Sequence, residues 1–309
     1  MTRPVFLAEP AELADVRAGG VAHVRGPEAH HAASVRRIRS GEEVDVVDGR
    51  GRRVTGAVTD AAKDRLTVSV TTVVDEPAPT PRLVLVQALG KGGRDEQAVE
   101  SATELGVDRV VPWQAERCVS RWDAKADKGR ARWTSVAEGA AKQSRRARVP
   151  AVDAVVTTAS LADAVARATG AGAAEASGPG GTAGHGAGAP GAAGSGATVL
   201  VLHESATERL AALLAAGAVA PGPAAPEVPV RPAAVAPGPA APEVPVQHAA
   251  AAPGEVWCVV GPEGGISDAE LDALVAAGAV PVRLGPHVLR TSSAGPAALA
   301  ALGAALGRW

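Results

Sequence analysis

The chain has no tyrosine and a single phenylalanine, Phe6; with five tryptophans, aromatic residues make up 2% of its 309 positions. Alanine, glycine, proline and arginine are abundant instead, which reads as compositional bias and not as a functional signal. Apolar residues still amount to 46%, enough for a sizeable core. Cysteine is scarce as well. Cys118 and Cys258 stand far apart, the second inside a run that reads as a buried strand, so neither a disulfide framework nor a zinc pattern is available. No apolar run reaches the roughly 18 residues of a membrane span. The opening MTRPVFLAEP lacks a signal-peptide core, and a soluble, cytoplasmic protein with no membrane partner is expected. Neither sign of charge is in excess: Lys and Arg total 31 against 33 Asp and Glu, a formal net charge of −2. A nucleic-acid partner would have to be met by local patches.

Such patches are present. Arg36, Arg37 and Arg39 form one cluster, Arg50, Arg52 and Arg53 a second, and Lys142, Arg145, Arg146 and Arg148 a third. His30 and His31 invite a metal reading, but no third ligand stands at a useful spacing and no metal is expected.

Length predicts about two domains, and the proline-bearing DEPAPTPR at about residues 75 to 82 marks the boundary between them. Before it, EEVDVVDGRG, RRVTGAVTD and DRLTVSVTTVV alternate as strands do, with one short helix expected over Pro27 to Ile38. Beyond it, LVLVQAL is a continuous apolar strand, KGGRDEQAVESATELG turns into a helix ending at Gly106, and DRVVPWQ is the next strand. A long helix over Lys128 to Arg146 carries Trp133, Val136 and Ala140 on one side. TVLVLHESATERLAALLAAG reads as a strand and a helix, with Leu202, His203 and Glu204 at the strand's carboxyl end.

Two stretches are set aside. Residues 171–197 are almost wholly Gly, Ala, Ser, Thr and Pro, and residues 218–254 contain APGPAAPEVPV twice. Both are expected to be disordered or polyproline-like insertions. GAGAPG (Gly186 to Gly191) fits G-x-G-x-x-G, but no strand precedes it and no helix follows, so it is a chance match.

The most specific stretch runs from Val256 to Ala294. It reads as a strand to Val260, a turn of Gly261, Pro262, Glu263, Gly264 and Gly265, a helix, a strand over Val280 to Leu284, and the loop GPHVLRTSSA. Ser267 and Glu270 make a capping box, Leu271, Leu274 and Val275 an apolar face, and Gly278 stands where a left-handed residue is wanted. Strand, helix, strand with short connections implies a parallel unit whose two loops leave the same end of neighbouring strands, where open α/β sheets hold ligands.

GPEGG followed one strand later by LGPHVLRTSSA resembles the cofactor-binding end of the SPOUT class of S-adenosylmethionine methyltransferases, in which the C-terminal segment is threaded into a trefoil knot. HHAASVRRIRSGEEVDVVDGRG, ALGKGGRDEQAVESATELGVDRVVPWQAERCVSRW and AAKQSRRARVP are similar, in order and spacing, to one family of that class, the 16S ribosomal RNA uridine-N3 methyltransferases. The resemblance implies an α/β protein with a PUA-like RNA-binding β-barrel over residues 1–76. A methyltransferase domain with a parallel sheet and knot would follow over residues 77–309, and the whole would work as a homodimer. It implies methyl transfer from S-adenosylmethionine to N3 of a uridine in 16S ribosomal RNA.

Carried over by position, Leu202, His203, Glu204, Gly261, Pro262, Glu263, Gly264, Gly265, Leu284, Gly285, Val288, Leu289, Arg290, Thr291 and Ala294 would hold the cofactor. Arg36, Arg37, Lys91, Arg94, Gln143, Arg145 and Arg146 would face RNA. Arg290 would stabilise negative charge on the uracil carbonyls. Glu104, Glu263 or water would take the N3 proton, with Glu104 the catalytic candidate beside Arg290. Ser292 stands where the family often has a glutamate, which leaves that position without a catalytic role in this chain. Two other readings stay open: a knotted methyltransferase acting on another atom, such as a ribose 2′-hydroxyl, and an RNA-binding protein without catalysis.

Overall fold

A computed structural model describes residues 3–171, 196–219 and 254–309. The GAGAPG match and nearly all of the two low-complexity stretches lie outside the described residues.

The first segment contains β1 (Val5–Leu7), α1 (Pro10–Leu13), β2 (Val21–Arg25), α2 (Gly26–His30), β3 (Glu43–Val47), β4 (Arg52–Ala61) and β5 (Arg65–Asp75). Its strands make one sheet in the order β1-β3-β4-β5-β2, with β1 parallel to β3 and every other pair antiparallel. Alternate residues point inward, as the two-residue period of a strand requires. Val24, Val44, Val46, Val54, Val58, Leu66 and Val68 share one buried cluster with Phe6 and Leu13. All five strands feed that cluster, so the sheet curls around it as a barrel left unpaired between β1 and β2. The helix expected over Pro27 to Ile38 is shorter than expected. α2 runs into a wider π-helical turn at His31–Val35, and the chain leaves through Arg37, a left-handed residue at φ 52°.

The second segment contains β6 (Arg82–Ala88), α3 (Arg94–Glu104), β7 (Arg109–Gln114), α4 (Ala126–Gln143), β8 (Ala151–Val152), β9 (Val156–Thr157) and α5 (Thr158–Thr169). It continues with β10 (Thr198–Leu202), α6 (Leu210–Ala215), β11 (Glu255–Val260), α7 (Asp268–Ala276), β12 (Val280–Val282) and α8 (Thr291–Ala305). Every strand pairing is parallel, in the order β12-β10-β11-β6-β7-β8, with β9 also beside β7. Continuous apolar runs such as Leu83 to Val86 and Val256 to Val260 are buried because both faces of the sheet are covered. Trp133 of α4 is buried edge-on to Trp122, with ring centroids 5.1 Å apart.

The strand order corrects one expectation. β11 and β12 are not neighbours, because β10 lies between them and pairs with both. From β6 the chain crosses to β7, and from β11 it crosses the other way to β12. Right-handed crossovers then put α3 and α7 on opposite faces, and the crevice between them opens at the carboxyl ends of β6 and β11.

The capping box of α7 is formed on both sides, and Gly278 ends the helix at φ 96°. Its apolar face is turned from the expected one. Leu274 is fully buried but Val275 is 43% exposed. Glu270 takes the inward place, accepting hydrogen bonds from Glu116 N–H at 2.8 Å, Thr158 Oγ1 at 2.6 Å and Ser267 N–H at 3.1 Å. Burial opposes its ionisation, but Thr158, Glu116 and Ser267 together hold its pKa below the ordinary glutamate value of 4.5. A carboxylate with a depressed folded pKa adds stability above its unfolded pKa and loses it as pH falls through the folded one. Glu270→Gln is expected to cost about 1–3 kcal/mol near neutral pH. In urea unfolding followed against pH, the gap to the wild type should hold constant down to about pH 5 and narrow below it.

Candidate functional site

The carboxyl ends of β10 and β11 and the starts of α3 and α8 enclose a cavity of about 510 Å³. A smaller one of about 170 Å³ adjoins it, walled by Leu284, Gly285 and the loop to Leu289. The fifteen residues expected to hold a cofactor all line one or the other. β10 makes this possible: lying between β11 and β12, it brings Leu202, His203 and Glu204 between the two C-terminal loops.

The glycine turn closes with Gly265 N–H on Pro262 O at 2.9 Å, and Gly265 sits at φ 75°. At Gly261 a Cβ would meet Ile266 Cγ1 at 2.6 Å, so backbone itself forms the cavity rim there. Glu263 reaches across the crevice, accepting from Arg94 Nη1 at 3.0 Å and from Lys91 N–H at 3.2 Å. Burial opposes its ionisation, but its own N–H, Arg94 and Lys91 outweigh that and keep its pKa below the usual glutamate range.

Thr291, the first residue of α8, joins three remote segments. Its hydroxyl accepts from Gln87 Nε2 at 2.9 Å and donates to Gly261 O at 2.8 Å. Gly295, one turn on, lets α8 lie close to the sheet: a Cβ there would be 2.7 Å from Leu85 Cδ1. Arg290 caps this helix with its backbone, and its exposed side chain makes no hydrogen bond or ion pair among the described residues. His203 Nδ1 lies 2.8 Å from Ser205 Oγ, a local hydrogen bond.

The other expected residues separate into three groups. Arg94 lines the cavity, with Lys91 at its rim. Arg36, Gln143 and Arg145 line a different cavity of about 440 Å³, between the first segment and α4; Arg37 is exposed beside it. Arg146 and Glu104 do not fit their expected places. Arg146 turns inward, donating to Thr103 O at 2.7 Å and pairing with Asp108 at 3.6 Å; burial pushes its pKa down. It braces the junction of α3, α4 and β7 and lines neither the main cavity nor the one beside Arg145. Glu104 is exposed at the last position of α3, about 15 Å along the axis from Arg94, toward the amino ends of the strands. Spacing alone did not show which end of the helix meets the site.

Three residues lining the cavity were not anticipated, Arg117, Val260 and Ile266, and neither was Gln87 behind it. Arg117 lines the cavity and donates to Gly264 O at 3.3 Å. Nothing in its sequence context marks it, since its position depends on β7 lying beside β6. Gln87 did carry a signal: it is the only polar residue in the apolar run LVLVQAL, at the strand's carboxyl end.

Comparison with known proteins places these features in a family. Residues 76–184 and 235–303 match the RNA methyltransferase domain family, and residues 24–71 the RNA methyltransferase PUA domain family. The ribosomal RNA small subunit methyltransferase E of Mycobacterium bovis is 42% identical over 292 residues, covering 94% of this chain and 89% of that protein. Among solved structures, the Neisseria gonorrhoeae enzyme of that name, bound to S-adenosyl methionine, superposes with a TM-score of 0.68 at 21% identity, covering 98% of each chain. A Legionella pneumophila methyltransferase with the same cofactor bound gives 0.66 at 21% identity, over 99% of this chain and 98% of that one. At that identity the likeness is one of fold, and the sequence relationship carries the assignment: the chain belongs to the ribosomal RNA small subunit methyltransferase E family.

Proposed function

We propose that this protein methylates 16S ribosomal RNA of the small ribosomal subunit with S-adenosylmethionine, and that the atom it modifies is N3 of a uridine. The observation that carries this reading is the convergence of three loops at the crevice between β6 and β11, with Arg290 left unpaired at its mouth. The first segment, residues 1–76, is assigned to RNA binding and residues 77–309 to catalysis. The C-terminal passage from β12 back to α8 is assigned to a trefoil knot, and the cytoplasm, where subunits are available, is the expected location.

The cavity suits the cofactor. Its volume, about 510 Å³, lies within the range of small-molecule sites. The glycine turn offers backbone where a Cβ at Gly261 would intrude on Ile266, and Leu202, Val260, Ile266, Val288 and Leu289 supply apolar walls. When bound, S-adenosylmethionine supplies an electrophilic methyl group on a sulfonium.

The chain's own residues position the base and manage its charge. N3 lies on the Watson–Crick edge, so the uridine must be unpaired or turned out of its helix. As the N3 proton leaves, negative charge spreads to the carbonyl oxygens, and the free guanidinium of Arg290 stabilises it there. Glu263 is held ionised by Arg94 and Lys91 N–H, which makes it a weak proton acceptor. With Glu104 at the far end of α3, the proton is assigned to water.

The homodimer is assigned to an apolar surface between α6 and α8, lined by Leu210, Leu214, Leu284, Leu289, Ala297 and Ala301. Val288 beside it is 80% exposed. A second copy of the chain would cover this face. Ala297→Arg should convert a dimer to a monomer in light scattering; a wild-type monomer would remove this part of the proposal.

The main test is methyl transfer to small ribosomal subunits from cells lacking the protein, followed by nucleoside mass spectrometry. The product should be 3-methyluridine. Arg290→Ala should lower kcat by about 10²–10³ with the fold intact, and Glu104→Gln should retain activity. Label on a ribose, or none, would overturn the proposed atom or the proposed activity.

A further inference from the structure

The cavity between the first segment and α4 is separate from the methyl-transfer site, and its charges sort into spent and unspent. Arg3 is paired with Glu43 at 3.4 Å and Asp45 at 3.5 Å, and Lys142 with Glu28 at 2.5 Å. The carboxylates are engaged as well: Glu28 also accepts from Leu7 N–H, and Asp45 from Thr55 Oγ1 and Arg53. Two exposed lining cations, Arg36 and Arg145, make no side-chain hydrogen bond or ion pair among the described residues. What remains for a ligand is the two free guanidiniums, with the Gln143 amide and the His31 ring beside them and no free carboxylate, a lining that suits an anion.

The backbone of Arg145 points the same way. α4 ends in a Schellman pair, Arg145 N–H on Lys142 O at 3.2 Å and Arg146 N–H on Ala141 O at 2.8 Å. This puts Arg145 at the position where the chain turns left-handed, at φ 59°. Glycine takes that conformation without strain, whereas an L side chain pays for it. Arg145 is thus the wrong residue for the helix end, and its guanidinium lines a cavity that needs it for no contact within the fold. Strain kept at one position, with an unspent charge on it, is characteristic of a ligand-binding residue.

We propose that this interdomain cleft is a second RNA subsite, in which Arg36 and Arg145 hold a backbone phosphate of the strand flanking the target nucleotide. It rests on the ribosomal RNA reading above. A phosphodiester suits two free guanidiniums in a cleft whose carboxylates are already paired, since phosphate contacts are the ones arginine makes without regard to sequence. α4 spans about 27 Å from the loop that follows Arg117 to Arg145, so the cleft grips flanking RNA and not the base being modified.

The test compares wild type with Arg145→Gly and Arg36→Gln in the full-length protein, using binding to methylation-deficient small subunits across a salt series, together with KM, kcat and Tm. Arg145→Gly should leave Tm unchanged or raise it. It should weaken binding several-fold, flatten the slope of log K against log salt by about 1 and raise KM with kcat unchanged. Arg145→Lys should recover part of the affinity, and Arg36→Gln should act as Arg145→Gly does on binding. If both variants bind with wild-type affinity and slope, or if kcat falls while the slope stays the same, the subsite is wrong and the function stands. If the wild type takes up S-adenosylmethionine but neither binds nor methylates ribosomal RNA, the functional reading falls and the subsite with it.

Discussion

The hydroxyl of Thr291 is the joint on which the site depends. It takes a hydrogen bond from the Gln87 amide and gives one to the Gly261 carbonyl, and both Gln87 and Thr291 are buried. One side chain thereby fixes the end of β6, the first residue of the glycine turn and the start of α8. Away from water such bonds matter less for their own strength than for what their loss leaves behind, an unsatisfied amide and carbonyl costing about 1–3 kcal/mol each. Gly295 completes the arrangement, since only without a Cβ can α8 come close enough to Leu85 for Thr291 to reach.

Charge is divided between architecture and function in a chain with no excess of either sign. Arg52 and Arg53 bind Asp75 and Glu76 within the barrel, and Arg146 and Arg308 share Asp108 beneath the second sheet. Arg94 neutralises Glu263 across the crevice. These pairs hold the two segments and the loops in register. Arg290 at one cavity and Arg36 and Arg145 at the other are unpaired among the described residues, and so are free to meet an anionic partner. Attraction to RNA then comes from a few placed guanidiniums, consistent with a net charge of −2.

Local signals in the sequence were legible where one residue type has one conformational use. Ser267 and Glu270 gave the start of α7, Gly278 its end, and the continuous apolar runs gave the parallel strands. The family resemblance gave most of the cavity lining, missing Arg117, Val260 and Ile266. Long-range order was not legible. Leu202 to Glu204 were expected beside the two C-terminal loops and are found there, but nothing in β12 says that it pairs with β10 and not with β11, so the strand order that puts them between the loops had to come from the fold. The same gap misplaced Glu104 and Arg146. Both sit on helices whose existence was clear, but the sequence does not say which end of α3 meets the site or that Asp108 draws Arg146 inward. Arg117 was invisible for the same reason, because it joins the site only through the pairing of β6 with β7.

The most direct measurement is S-adenosylmethionine affinity by calorimetry for wild type, Thr291→Ser and Thr291→Val, with urea unfolding of each. If the hydroxyl holds the three segments together, Thr291→Val weakens binding by about tenfold or more while unfolding stays cooperative, and Thr291→Ser keeps near-normal affinity. A valine variant that binds as tightly as the wild type would contradict the account, because the loops would then be held by packing alone.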